Sequence, residues 1–203
     1  MKPPRFTETQ GRAIVAARYT ITTEVRAARR RTTPSRHLLF FIDVTTREVT
    51  LGGITTSPTA AWTVQAARNL FLRHAEKLAN AKALVRDRGS QFTASFDEVF
   101  RTEDVKVLKT PVRTPVANSI AERWIGTLRR ELLDRTIIWN QRQLKRLVDE
   151  YIDHYNRHRP HRSLQQRAPT PPPATAEMST VPTADVIRLP RCDGLITEYK
   201  NAA

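Results

Sequence analysis

AKALVRDRGSQF, residues 81–92, is the stretch on which the fold turns. Ala83, Leu84 and Val85 form a short apolar run of strand type, Asp87 follows at its carboxyl end, and Gly89 permits a sharp turn before Gln91 and Phe92. Open α/β sheets gather ligands at the carboxyl ends of their strands, so this position makes Asp87 a candidate for chemistry. Taken alone, an Asp at a strand end more often closes a turn or caps a helix.

Upstream, Trp62, Val64, Ala67, Leu70, Phe71 and Leu78 recur near helical spacing, predicting an amphipathic helix opened by Pro58 and Thr59 and running to about residue 79. Before it, HLLFFIDV (37–44) and VTLGGITT (49–56) read as two strands joined by the polar TTRE. Downstream, GSQFTASFDEVF (89–100) reads as a loop and short helix and VKVLKT (105–110) as a strand. The order hairpin, α, β, α, β predicts an α/β protein, a mixed sheet flanked by helices. Two more helices follow, at about 117–133 and over NQRQLKRLVDEYIDHYNRH (140–158), where Leu144, Leu147, Val148, Tyr151, Ile152 and Tyr155 repeat at three and four. Residues 168–182 are proline-rich linker, and 185–203 hold material for a strand or two.

At 203 residues the chain is long enough for one sizeable core with appended segments. Its 34 Lys and Arg against 20 Asp and Glu leave a net charge of +14, the footprint of a protein that meets a polyanion: nucleic acid first, an anionic membrane surface second. Half of that charge sits in residues 1–36, where eight arginines and Lys2 face only Glu8 and Glu24. There YTITTEV (19–25) has the composition of a short strand, and RAARRRTTPSR (26–36) reads as a solvated basic linker. The expected organisation is a basic segment over 1–36, a core over 37–168, and a linker and tail over 169–203. Cys192 is the single cysteine, so no internal disulfide forms, and no CxxC pair exists to hold zinc. No apolar run approaches the roughly 18 residues of a membrane span, nor is there a secretory leader; a cytoplasmic protein is expected.

Glu122 falls on the predicted helix with Asn118, Gly126 and Arg129 on one arc, opposite the apolar arc of Ile120, Trp124, Leu128 and Leu132. An outward-facing helical Glu is usually simple solvation. Here a small residue one turn on, an amide one turn back and several nearby arginines make a polar face suited to lie along a phosphate backbone beside a metal ion.

Three segments resemble the integrase core shared by DDE transposases and retroviral integrases, which has a ribonuclease H-like fold. VRDRGSQF (85–92) is similar to the family's second-Asp motif, TPVRTPVANSIAERWIGTLRREL (110–132) to its Asn-to-Glu helix motif, and YNRHRPHRSL (155–164) to the tail common to bacterial insertion-sequence transposases. The likeness runs from about Leu38 to Pro169. It implies DNA transposition by metal-dependent strand transfer, with Asp87 and Glu122 as two of three carboxylates around a pair of Mg²⁺ or Mn²⁺ ions. Such hard cations prefer oxygen ligands, and a pair of them about 4 Å apart activates an attacking hydroxyl and stabilises the leaving 3′ oxygen. The resemblance further implies DNA as partner (transposon ends and target), a homo-oligomer on DNA, nucleoid association, and phosphate contacts from Asn118, Arg113, Arg123, Arg129, Arg130, Arg157, Arg159 and Arg162.

The first family carboxylate, which belongs on strand one, is not found in place. The acids upstream of Asp43 are Glu8 and Glu24, and neither sits in an Asp-Thr or Asp-Ser strand motif. Asp43 reads as a noncatalytic residue of strand two; Glu24 is the better placed substitute in order along the chain. The sequence therefore predicts either an active core or a truncated, inactive remnant that keeps the fold and nucleic-acid binding, with a first strand lacking or degenerate. His154, His158 and His161 with Asp153 lack a second ligand cluster and read as structural or electrostatic, and Trp62, Phe71 and Trp124 as core.

Overall fold

A computed structural model describes residues 12–21, 35–110, 119–171 and 186–201. Five strands form the central sheet: β1 Arg12–Ile21, β2 Arg36–Asp43, β3 Val49–Thr55, β4 Ala81–Arg86 and β5 Lys106–Lys109. Their spatial order is β3-β2-β1-β4-β5, with β1–β2 and β2–β3 antiparallel and β1–β4 and β4–β5 parallel. The helices are α1 Ala60–Leu78, α2 Ala94–Arg101, α3 Ser119–Glu131 and α4 Gln141–Arg157, and a second, two-stranded sheet pairs β6 Val186–Arg191 with β7 Ile196–Asn201.

The run HLLFFID explains the layering. Successive β2 residues point to opposite faces. Leu38, Phe40 and Ile42 accordingly join the core beneath α3 and α4, together with Trp124, Leu128, Leu147 and Tyr151. Leu39 and Phe41 join the other core, with Leu70, Phe96 and Phe100 of α1 and α2. A strand covered on both faces reads as a continuous apolar run, and this one does. Thr59 caps α1 by accepting from the Trp62 amide at 3.2 Å, and Asn140 caps α4 by accepting from the Gln143 amide at 2.8 Å.

One expectation is corrected: the first strand is not lacking. It runs over Arg12–Ile21, earlier than the 19–25 stretch favoured by composition, and it is the middle strand of the five. In RAIVAARYTI the strand formers Ile14, Val15, Tyr19, Thr20 and Ile21 are interrupted by Ala16, Ala17 and Arg18, and pairing to β2 on one side and β4 on the other carries the strand across that gap. No described helix is long and apolar enough to cross a membrane.

Candidate functional site

Asp87 lies directly beyond the last residue of β4. Its Oδ1 accepts the Gly89 amide hydrogen at 2.8 Å, closing a tight turn. A Cβ on Gly89 would stand 2.5 Å from the Gln91 side-chain nitrogen and 2.9 Å from Asp87 Oδ1, so a larger residue there would displace the Gln91 side chain or the carboxylate. The preceding Arg86 turns to the α1–α2 face, where it grips Asp97 with two 2.7 Å hydrogen bonds, and its Nη1 donates to the Asp87 carbonyl at 2.8 Å. By the alternation of the strand, Asp87 then belongs to the α3–α4 face.

Glu122 occupies the first turn of α3 and is exposed, while Ala121 and Trp124 beside it are buried. The helix packs against β1. The backbone register of β1 with β4 is Ile14–Leu84, Val15–Val85 and Ala16–Arg86, so Ala17 is the next position beside Asp87. No residue of RAIVAARYTI is acidic. Asp43, one strand over, is otherwise engaged: it pairs with Arg12, and its Oδ1 accepts the amides of Thr45 and Thr46 at 2.8 and 2.7 Å. Glu24, Arg113 and Asn118 lie outside the described residues. Among the described residues no three His, Cys, Asp or Glu side chains form a group able to hold a metal ion. Asp87 and Glu122 are oxygen donors of the right chemistry, and among the described residues no third carboxylate joins them.

The arginines expected to face phosphate separate into distinct environments. Arg123, Arg130, Arg159 and Arg162 converge on a cleft of about 540 Å³ between α3, the turn after β2 and the segment following α4. Arg159 is held there by Glu131, with Nη2–Oε1 at 2.7 Å and Nε–Oε2 at 2.9 Å, while Tyr151 donates to the same carboxylate at 2.7 Å. Burial pushes the Glu131 carboxyl up, but those hydrogen bonds outweigh it and leave its pKa below the ordinary value. Arg129 instead sits 3.5 Å from Asp134, and Arg157 pairs with Asp153 at 2.9 Å on the flank of a separate cleft of about 660 Å³ next to β3.

Sequence reasoning missed Arg47, which lines the arginine cleft from a left-handed backbone position, φ 66°. A non-glycine residue held there is the kind of local signal that composition does not carry. The histidines serve different ends. His154 pairs with the buried Glu198 of β7 at 2.9 Å and His158 lies 3.7 Å from it, fastening the second sheet to α4, whereas His161 lines the arginine cleft.

An integrase core domain family model matches residues 103–169. Two insertion-element proteins are related in sequence: the Insertion element IS136 uncharacterized protein of Agrobacterium fabrum (strain C58) and its counterpart in Agrobacterium tumefaciens (strain T37). Each is 28% identical over 139 residues, which is 65% of this chain and 70% of theirs. The HTLV-2 integrase catalytic core domain in complex with magnesium superposes with a TM-score of 0.55 at 14% identity, covering 76% of this chain and 91% of that one. A chain of the simian T-cell lymphotropic virus intasome in complex with PP2A regulatory subunit B56 gamma gives 0.60 at 12%, covering 92% and 65%. At these identities the likeness to solved structures is one of fold. Residues 103–169 are thus similar in sequence to an integrase core domain, and the fold is similar to that of the retroviral integrase catalytic core.

Proposed function

We propose that this chain is the core of an insertion-element transposase, acting on DNA at the nucleoid, with Asp87 and Glu122 as the carboxylates that would bind Mg²⁺ or Mn²⁺. The observation that carries the reading is the placement of Asp87 at the end of β4 and Glu122 in the first turn of α3, within a fold whose residues 103–169 match the integrase core. The net charge of +14 and the convergence of Arg123, Arg130, Arg159 and Arg162 on one cleft support DNA as the partner. Joining two element ends to one target requires at least two copies, so we assign a homo-oligomer on DNA.

A second reading is favoured by one specific observation: the middle strand β1 carries no carboxylate. On that reading the chain keeps DNA binding and has lost strand transfer. One experiment separates the two. The full chain is incubated with Mg²⁺ or Mn²⁺, duplexes bearing the ends of its element and a supercoiled plasmid, beside Asp87→Ala and with binding followed by fluorescence anisotropy. Strand transfer abolished by Asp87→Ala with binding retained supports the active core. Binding without transfer in the unaltered chain supports the second reading, and transfer unaffected by Asp87→Ala removes the assigned site.

A further inference from the structure

The arginine cleft contains more than surface charge. Its lining includes Arg47, Arg123, Arg130, Arg159 and Arg162 and no acidic residue. Glu131, just outside, ion-pairs with Arg159 and accepts from Tyr151. Three lining residues also present buried nitrogens with no hydrogen-bond partner: Arg47 Nη1, Trp124 Nε1 and His161 Nε2. Trp124 is 2% exposed and His161 9%. Buried polar groups are nearly always satisfied, so three orphans around one cavity point to a missing acceptor. An indole N–H can only donate, and a guanidinium has no acceptor, so the missing group is an acceptor and not a cation, and the five arginines of the lining favour a negatively charged one.

The protein also holds Arg47 in place against opposition. Its backbone is left-handed, and the turn that fixes it is tied down by the Asp43 carboxylate accepting the Thr45 and Thr46 amides and by the Arg47 amide donating to the Asp43 carbonyl at 3.0 Å. Burial, and then repulsion from Arg123, disfavour the charged guanidinium. Tyr155 and Asp43 offset this only in part, and backbone strain together with a cation so disfavoured is the mark of a site shaped for a ligand.

We propose that this cleft is a phosphate-binding site, in which Arg47, Trp124 and His161 contact the oxygens of one phosphate and Arg123, Arg130 and Arg162 supply the surrounding charge. Donors arriving from three separate elements suit a tetrahedral oxyanion better than a planar carboxylate. Arg123, Arg130 and Arg162 are exposed at the rim, where further phosphates of a chain would pass, so a phosphodiester of DNA is the assigned source; only that assignment rests on the DNA-binding reading. His161 joins as a donor on taking up a proton. Burial, Arg159 and Arg47 oppose that protonation in the free protein, while Glu131 and the backbone hydrogen bond at Tyr155 favour it. A bound phosphodiester, whose own charge does not change in this range, shifts the balance, so duplex affinity increases as pH falls.

The test follows the indole N–H signals of the three tryptophans in the ¹⁵N-labelled full chain, with Trp124 assigned by the loss of one signal in Trp124→Phe. Inorganic phosphate and a random-sequence 20-base-pair duplex are titrated separately. Both are expected to move the Trp124 signal, and Arg47→Gln is expected to weaken phosphate and duplex binding about tenfold or more, the loss typical of a hydrogen bond to a charged group. A duplex that binds while the Trp124 signal stays still and Arg47→Gln is silent overturns the cleft and leaves DNA binding standing. Phosphate that moves the signal with no duplex binding upholds the cleft and overturns the DNA reading. If none of the three indole signals of the unaltered chain moves with either probe, the proposal is removed, and that outcome depends on neither variant folding.

Discussion

Arg86 and Asp97 clasp each other through two 2.7 Å hydrogen bonds, with side-chain exposures of 3% and 2%, so the residue before Asp87 is anchored to α2 from beneath the sheet. Removing one partner of a buried pair strands the other charge, at a cost of about 3–5 kcal/mol, whereas replacing both with apolar groups of similar volume is often neutral. Asp97→Ala is therefore expected to lower stability by about that amount, and Arg86→Met with Asp97→Leu to recover most of it. Urea unfolding of the three proteins checks this. A double variant no better than Asp97→Ala would mean that the pair does more than neutralise itself. Since Arg86 Nη1 also supports the Asp87 carbonyl, the recovered double variant is expected to leave the Asp87 turn less well held.

The acid-free β1 gives a gain-of-function test. Ala16 pairs with Arg86 in the parallel register, which puts Ala17 next to Asp87. Ala17→Asp would put an acid at the backbone position next to Asp87, and like charges in close proximity repel unless a cation intervenes. The variant is expected to melt below the parent in EDTA and to recover on addition of Mn²⁺, with calorimetric Mn²⁺ affinity at least tenfold above the parent. Equal Mn²⁺ titrations for the two proteins would show that the missing carboxylate belongs elsewhere.

Much of this was legible in the sequence because burial on both faces leaves a plain mark. HLLFFID announced a covered strand, and the spacing of Leu144, Leu147, Val148, Tyr151 and Ile152 announced α4 within a residue or two. Trp124 and Leu128 lie on the buried side of α3 and Glu122 on the exposed side, as the helical wheel required. β1 was obscure for a physical reason: Ala16, Ala17 and Arg18 split its strand-forming residues into two short runs, and the neighbours that join them, β2 and β4, leave no record in local composition. The arginine cleft was half legible. Arg123, Arg130, Arg159 and Arg162 could be suspected from their motifs, but Arg47 arrives through a turn conformation, and the unpaired nitrogens of Trp124 and His161 exist only once three elements meet.

The second sheet reports on its own attachment to α4. Cys192, in the turn between β6 and β7, is 1% exposed, its amide donates to Glu150 at 2.8 Å, and burial, reinforced by Glu150 and Asp193, pushes its thiol up to about 12. Such a thiol is unreactive while the hairpin is docked. Glu198 fastens the docking through His154, and it also holds Arg191 of β6 at 3.0 Å, which in turn reaches Asp153 of α4 at 3.4 Å; burial raises its pKa, but these partners outweigh burial and hold it below the ordinary value. A depressed folded-state pKa contributes stability above the unfolded value, about 4.3, and loses it as pH falls through the folded value. Labelling of Cys192 by an acid-tolerant disulfide reagent is thus expected to be slow at pH 7 and to accelerate below pH ~4.3, with Glu198→Ala fast at both. Slow labelling of Glu198→Ala at pH 7 would separate Cys192 burial from the Glu198 contacts.

Glu131 tempers the arginine cleft, and removing its charge should be felt by DNA before it is felt by the fold. The carboxylate neutralises Arg159 at exposures of 34% and 27%, a half-open pair worth at most about 1 kcal/mol after solvent screening. Glu131→Gln keeps an acceptor for Tyr151 while releasing Arg159 to meet phosphate. Each added phosphate contact steepens the dependence of log affinity on log salt by about 0.9, so the variant is expected to bind a random duplex more tightly at low salt, with a slope steeper by about one. The melting temperature should move little. Anisotropy titrations over a range of salt concentrations measure both quantities. A slope unchanged from the parent would mean that Arg159 stays turned away from DNA even when freed, and that Arg123, Arg130 and Arg162 alone set the ionic contact of that face.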